Sequence, residues 1–329
     1  MTVATRPRLG FLGVGWIGRD RLRAVAESGA AEVAAVADPA EACVREALAA
    51  VPDARVAADL DALLAAGVDG VVIATPSALH AEQAIAALEA GVAVFCQKPL
   101  ARDAAETARV VDAARAADRL LGVDLSYRFT AAAQAVREQV ATGALGPVHA
   151  VDLVFHNAYG PDKSWFLDPR LSGGGCVIDL GIHLVDLLLW TLGFPAVAEV
   201  DGHLWRQGRA AGPDEAEDFC VAQLQLADGT HARLACSWFS HEGRDAVIEA
   251  TFRGRDATAA LHNVGGSFYD FVATRMRGTA REVLSSPPDA WGGRAAIAWA
   301  RRLAAGEGFD PEAERLVAVA AALDGVYGR

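Results

Sequence analysis

From Arg8 to about Asp124 the chain alternates short apolar runs with Ala-rich stretches of helical period. The runs Arg8–Leu12, Glu32–Ala37, Gly70–Ala74, Val92–Cys96 and Leu120–Val123 are apolar nearly throughout, as strands covered on both faces are. Helical spacing fills the gaps near Trp16–Ser28, Pro39–Ala50, Asp59–Ala66, Ala78–Ala90 and Asp103–Asp118. Strand–helix alternation of this kind predicts a doubly wound parallel sheet.

The texture changes after Asp124. A helix near Thr130–Ala141 stops at Gly143, a strand runs over Val148–His156, and a Gly-rich segment opens an apolar helix from Gly173 to Leu192. Alternating strands follow at Phe219–Leu226, Thr230–Trp238, Ala246–Phe252 and Ala257–Leu261, with Asp228-Gly229 as a hairpin turn between the first two. Helices over roughly Gly292–Ala305 and Pro311–Tyr327 end the chain. The pattern predicts an α/β domain at 1–124 and an α+β domain at 125–329 with a large, mostly antiparallel sheet. The terminal helix is able to pack back on the first domain. A length of 329 residues suits two cores.

Composition narrows the function classes. Hydrophobic residues make up 53% and charged residues 22%, which excludes wholesale disorder. A formal net charge of −12 argues against a nucleic-acid surface, which needs clustered Lys and Arg. The five cysteines form no CxxC pair and no zinc-ligand spacing, so no metal site is expected and reduced thiols in the cytoplasm are. The N-terminal residues lack a secretory h-region, and the apolar stretch Leu184–Phe194 is too short to span a bilayer. No membrane association is expected.

Three motifs carry chemistry. Gly13-Val14-Gly15-Trp16-Ile17-Gly18 follows the first strand and opens the first helix. In such a turn Gly13 permits the bend, Gly15 lets backbone approach a pyrophosphate, and Gly18 lets helix and strand pack closely. Asp38, twenty positions after Gly18, ends the second strand, where a carboxylate accepts from both ribose hydroxyls and repels a 2′-phosphate. NAD is therefore expected over NADP; the plainer reading of Asp38 is a turn or N-cap residue before Pro39. Thr75-Pro76 and Gln97-Lys98-Pro99 stand at carboxyl ends of parallel strands, where open α/β sheets bind ligands. Finally, the segment from Ser172 to Asp186 contains three glycines and then Asp179, His183 and Asp186, spaced to share a helix face. The glycines predict that something large approaches the backbone there. The polar trio reads as a catalytic face, or more blandly as a core histidine satisfied by carboxylates.

GxGxxG, the Gln-Lys-Pro tripeptide and GGGxxxDxGxHxxD together resemble the glucose–fructose oxidoreductase, inositol dehydrogenase and rhizopine-catabolism family over nearly the whole chain. The resemblance implies oxidation of a secondary hydroxyl of a sugar or cyclitol, or the reverse, with NAD or NADP. It implies that Lys98, Asp179 and His183 are catalytic, that Thr75, Pro76 and His80 line the nicotinamide end, and that Tyr127 and Trp165 lie near the substrate. Gln97 departs from the family, which usually has Glu there, so charge tuning of Lys98 by that neighbour is in question. In the implied mechanism His183 takes the hydroxyl proton, Lys98 stabilises the alkoxide and Asp179 orients the substrate or His183. Two alternatives stand beside it: a glycoside hydrolase or lyase with transient oxidation, and a non-catalytic NAD-sensing regulator. A homodimer or homotetramer is implied as well.

Overall fold

A computed structural model describes residues 6–329, and the chain divides into two compact units. The first unit takes the residues through 101, then 105–126 and 292–317; the second takes 102–104, 127–291 and 318–329.

In the first unit the order is β1 (Arg8–Leu12), α1 (Trp16–Ser28), β2 (Glu32–Ala37), α2 (Glu41–Leu48), β3 (Arg55–Val56), α3 (Leu60–Ala65), β4 (Gly70–Ile73), α4 (Ser77–Glu89), β5 (Ala93–Cys96), α5 (Ala104–Ala117) and β6 (Leu121–Val123). The six strands form one parallel sheet ordered β3-β2-β1-β4-β5-β6. β4 and β5 are buried at every position, which is why they read as unbroken apolar runs. The two-residue β3 is exposed and lacks that signal. All parallel strands end on one edge, so Gly13, Asp38, Thr75, Gln97 and Asp124 share it.

Residues 292–317, assigned to the second domain by the sequence pattern, belong to the first unit. Within them α9 (Arg294–Ala304) buries Trp299 to 4% exposure. Its indole rests on two strand glycines, since a Cβ on Gly70 or Gly122 would come within 2.6 or 2.8 Å of that ring.

The second unit contains α6 (Ala131–Ala141), β7 (Val148–Asn157), α7 (Pro169–Ser172), α8 (Ile182–Thr191), β8 (Val197–Arg206), β9 (Arg209–Ala210), β10 (Phe219–Leu226), β11 (His231–Ser237), β12 (Ala246–Gly254), β13 (Thr258–Asn263), β14 (Phe271–Arg277) and β15 (Ala280–Ser285). Its nine strands run β15-β14-β13-β12-β7-β11-β10-β8-β9, antiparallel except for the β7–β11 pair. The β10–β11 turn closes at Asp228-Gly229, with Gly229 at φ +89° and the Asp228 carboxylate accepting from Thr230 N at 2.9 Å. β8 escapes the alternation signal because both its faces are partly exposed and Asp201-Gly202 interrupts it. The terminal helix α10 (Arg315–Tyr327) reaches that interruption: a Cβ on Gly202 would sit 2.2 Å from the Val326 carbonyl oxygen.

The predicted helix from Gly173 to Leu192 is not one α-helix. Gly173, at φ +91°, ends α7; a π-helical turn at Val177–Gly181 then runs into α8. Counted as one run, Pro169–Thr191 has 23 residues and a mean hydropathy of 1.5, long and apolar enough to cross a membrane where the shorter stretch was not, yet 89% of its apolar window is buried inside the protein. It is the core helix of its unit. All five cysteines are free thiols.

Replacing Trp299 with Ala should cost about 3–5 kcal/mol in urea unfolding, the range for deleting a buried large aromatic. A cost below about 1 kcal/mol would mean that α9 is not part of the first core.

Candidate active site

The glycine turn is shaped by the protein at two points and open at the third. A Cβ on Gly13 would lie 2.5 Å from the Ala74 carbonyl oxygen, and one on Gly18 would lie 2.1 Å from that of Gly13. A Cβ on Gly15 would have nothing within 4 Å. Gly15 also caps α1 without any side-chain hydrogen bond, so the first N–H groups of that helix remain available to an anion. Trp16 is 68% exposed beside them, and Ile17 is half-buried. Asp38 ties the turn to β2: its Oδ2 accepts from Val14 N at 2.8 Å and its Oδ1 from Ala40 N at 2.8 Å. The turn role expected of Asp38 is therefore real, and a half-buried carboxylate keeps lone pairs for further donors. Open glycine backbone, an uncapped helix start and this carboxylate fit a dinucleotide.

His80 lies in α4 at 1% exposure, not on an open wall. Its Nδ1 is 2.7 Å from the Pro99 carbonyl and its Nε2 2.7 Å from the Thr75 carbonyl. A neutral ring donates to one of these; burial pushes the imidazole pKa down, against the pull of both carbonyls. His80 thus braces two loops against each other, one carrying Thr75-Pro76 and the other Lys98-Pro99. The Thr75 hydroxyl donates to Gln83 Oε1 at 2.6 Å and Pro76 is exposed. Lys98 is half-buried, and Gln97 is buried at 7% exposure with its Nε2 donating to Asp124 Oδ2 at 2.6 Å. The same oxygen accepts from Arg21 Nε at 2.6 Å.

In the second unit the triple glycine admits the protein's own chain. A Cβ on Gly175 would stand 2.0 Å from the Glu217 carbonyl oxygen, and one on Gly174 would stand 2.0 Å from the Tyr327 hydroxyl. The large group expected against this backbone is therefore protein. Glu217, 1% exposed, accepts from Gly175 N at 2.9 Å, Val177 N at 2.8 Å and the Tyr327 hydroxyl at 2.9 Å. Burial pushes its carboxyl pKa up, and these hydrogen bonds oppose the rise. Glu217 so fixes the start of the π-helical turn that carries Asp179.

Asp179 is half-buried and accepts from Trp238 Nε1 at 3.0 Å. His183, 8% exposed, packs on Tyr127 with ring centroids 4.7 Å apart. The Tyr127 hydroxyl is pushed well above the usual phenol range by burial first and by the Asp179 charge second. Asp179, His183 and Tyr127 therefore form one cluster, walled by Phe155, Phe271 and Trp291 around the Tyr127 ring. Asp186 does not join them. It is 1% exposed and grips Arg128 through a two-pronged ion pair, Arg128 Nε lying 2.8 Å from its Oδ2. Trp165 sits half-exposed on a short 3-10 turn and stacks on Phe166 at 3.8 Å. Asp168, in the same loop, caps α7 and pairs with Arg170. Asp124, Arg21, Glu217 and Trp238 carry no sequence motif; of these only Asp124, directly after a strand on the ligand-bearing edge, stands at a position where strand order alone points to a ligand.

Glu217→Gln leaves three donors facing one acceptor oxygen and an amide that itself donates. We expect a loss of about 1–3 kcal/mol, the scale of an unsatisfied buried polar group, in urea unfolding. An unchanged midpoint would show that Glu217 does not hold the turn.

Residues 7–125 match the model of an oxidoreductase family with an NAD-binding Rossmann fold, and residues 133–260 match the GFO/IDH/MocA C-terminal domain. D-glucoside 3-dehydrogenase of Escherichia coli (strain K12) is 32% identical over 211 residues, spanning 60% of this chain and 60% of that protein. A putative UDP-kanosamine synthase oxidoreductase subunit of Amycolatopsis mediterranei (strain S699) is 33% identical, covering 73% of this chain and 71% of its own length. Inositol 2-dehydrogenase of Rhizobium meliloti (strain 1021) is 31% identical, covering 78% of this chain and 76% of its own. Among solved structures, GenD2 from gentamicin A biosynthesis in complex with NAD superposes with a TM-score of 0.81 at 25% identity, covering 98% of this chain and 94% of that one. Levoglucosan dehydrogenase in complex with NADH and L-sorbose shares the fold, with a TM-score of 0.84 at 21% identity over 98% and 96% of the two chains. With matching models for both halves, the chain belongs to the GFO/IDH/MocA oxidoreductase family with its NAD-binding Rossmann fold.

Proposed function

We propose that the protein is an NAD-dependent oxidoreductase acting on a secondary hydroxyl or ketone of a sugar, sugar derivative or cyclitol. The observation that carries this reading is the placement of Asp179 and His183 at the start of a mostly apolar core segment, with Tyr127 packed on His183 from another turn and Trp238 donating to Asp179. Buried polar groups cost free energy, so a segment that keeps titratable ones at its start has a use for them. The relatives named as glucoside and inositol dehydrogenases support a polyhydroxylated substrate.

NAD, when bound, supplies a hydride acceptor for the carbinol carbon. The residues supply the rest. His183 accepts the hydroxyl proton, an imidazole nitrogen being able to act as a general base. The Lys98 ammonium donates to the same oxygen and stabilises its growing negative charge. Asp179, oriented by the Trp238 indole, aligns the substrate or His183. Gly15 and the start of α1 hold the pyrophosphate, and Asp38 accepts from the adenosine ribose, which favours NAD over NADP. Free thiols suit a reducing cytoplasm, and we place self-association into a homodimer or homotetramer on the open sheet face that carries Phe219 and Val221.

Purified protein with NAD or NADP and a panel of sugars, cyclitols and glycosides should form reduced nicotinamide, read by absorbance. Lys98→Ala and His183→Ala should each lower turnover by about a hundredfold or more, the scale of one acid–base group. Near-normal turnover in either variant removes that residue from the mechanism. Glycoside cleavage without net cofactor reduction would replace the dehydrogenase reading with a hydrolase. Asp38→Ala should weaken NAD and narrow its advantage over NADP; an unchanged preference contradicts the ribose assignment.

A further inference from the structure

Gln97, Asp124 and Arg21 form a buried network that no catalytic role assigned above explains. Asp124 is 1% exposed, Arg21 6% and Gln97 7%. Asp124 Oδ2 accepts from Arg21 Nε at 2.6 Å and from Gln97 Nε2 at 2.6 Å, while Arg21 also pairs with the exposed side of Asp20. The amide orientation is forced, because the reverse would set the Gln97 carbonyl oxygen against a carboxylate oxygen. Backbone bonds join the same strand ends: Gln97 N donates to the Ile73 carbonyl at 2.8 Å and Asp124 N to the Cys96 carbonyl at 2.9 Å. One carboxylate thereby connects three places, the helix behind the glycine turn, the loop carrying Lys98, and the chain leaving β6.

We propose that Gln97 and Asp124 are positioning residues, which set the Lys98 loop against the dinucleotide-binding helix through Arg21, and that position 97 must be neutral because the site's buried negative charge resides at 124. The assignment of Lys98 rests on the function proposed above; the network itself does not. A glutamate at 97 would place two carboxylates at the distance of a hydrogen bond, with one buried guanidinium paired to Asp124 alone. Such a pair retains a shared proton at low pH and separates when both ionise. Its folded-state carboxyl pKa lies above the unfolded value, so the geometry survives at low pH and is lost as pH rises through that raised value.

The test uses four proteins: wild type, Gln97→Glu, Asp124→Asn and the transposed double variant Gln97→Glu/Asp124→Asn. NAD affinity is titrated from pH 6 to 9 by intrinsic tryptophan fluorescence, to which the exposed Trp16 beside the glycine turn contributes. Gln97→Glu should lose about tenfold or more in affinity at pH 9 relative to wild type and much less at pH 6, as expected for a carboxyl pair losing its shared proton. The double variant leaves one buried charge and one hydrogen bond between positions 97 and 124, but an amide nitrogen at 124 donating to the carboxylate at 97 no longer accepts from Arg21 Nε. It should therefore bind NAD at pH 9 at least about threefold more tightly than Gln97→Glu and show a wild-type pH profile. Asp124→Asn alone should fall between them. Where a substrate has been found, kcat for the Lys98-dependent step should follow the same order, with no comparable change in substrate KM. A wild-type pH profile in Gln97→Glu overturns the proposal. So does a double variant no better than Gln97→Glu, or one that fails to fold while wild type is folded by circular dichroism. A Gln97→Glu protein that does not fold, beside a double variant that does, supports it. Because NAD binding needs no turnover, failure of the dehydrogenase assay leaves this result standing.

Discussion

A carboxylate taken out of water must be met by donors or it destabilises the fold, and the organisation of this protein follows from three places where donors meet a buried one, at Asp124 through Oδ2 alone. Asp124 meets Arg21 and Gln97; Asp186 meets Arg128; Glu217 meets two backbone N–H groups and the Tyr327 hydroxyl. Each holds a backbone segment that carries or adjoins a candidate catalytic group. Asp124 fixes the loop before Lys98. Asp186 anchors the residue after Tyr127. Glu217 sets the entry to the turn with Asp179. The candidate chemistry therefore rests on side chains that themselves need never touch a substrate.

Close approach is the second condition. Gly13 and Gly18 bring strand and helix together, Gly70 and Gly122 receive Trp299, and Gly174 and Gly175 receive Tyr327 and Glu217. Gly15 differs, because nothing of the protein fills the space where its Cβ would be. That contrast separates a glycine conserving room for the chain itself from one leaving room for something else, and it is visible only in three dimensions.

Much of the fold was legible because its signals are local. Strands buried on both faces read as apolar runs, β10 and β11 alternate cleanly, and Asp228-Gly229 marks their turn. β3 is too short to carry a pattern, and β8 is partly exposed on both sides. The π-helical turn has no sequence signature, so the even spacing of Asp179, His183 and Asp186 suggested a shared face that the turn and the Arg128 ion pair undo. The supporting carboxylates were hidden for a different reason. Their partners are remote, 103 positions away for Asp124–Arg21 and 40 for Glu217–Val177, and a buried acid looks in sequence like a surface one. The motif glycines, Lys98, Asp179 and His183 stand out as candidates because their neighbours in sequence are unusual.

Hydride transfer is the central claim, and isotope placement tests it most directly. The protein is incubated with stoichiometric NAD and ring-deuterated sugars and cyclitols, and the nicotinamide is recovered for mass spectrometry. The account predicts reduced nicotinamide one mass unit heavier, with deuterium at its reactive carbon. Nicotinamide that stays oxidised and unlabelled across every polyol, while the protein binds NAD, would contradict it and leave a hydrolase or lyase with transient oxidation, or a sensor of the dinucleotide, in its place.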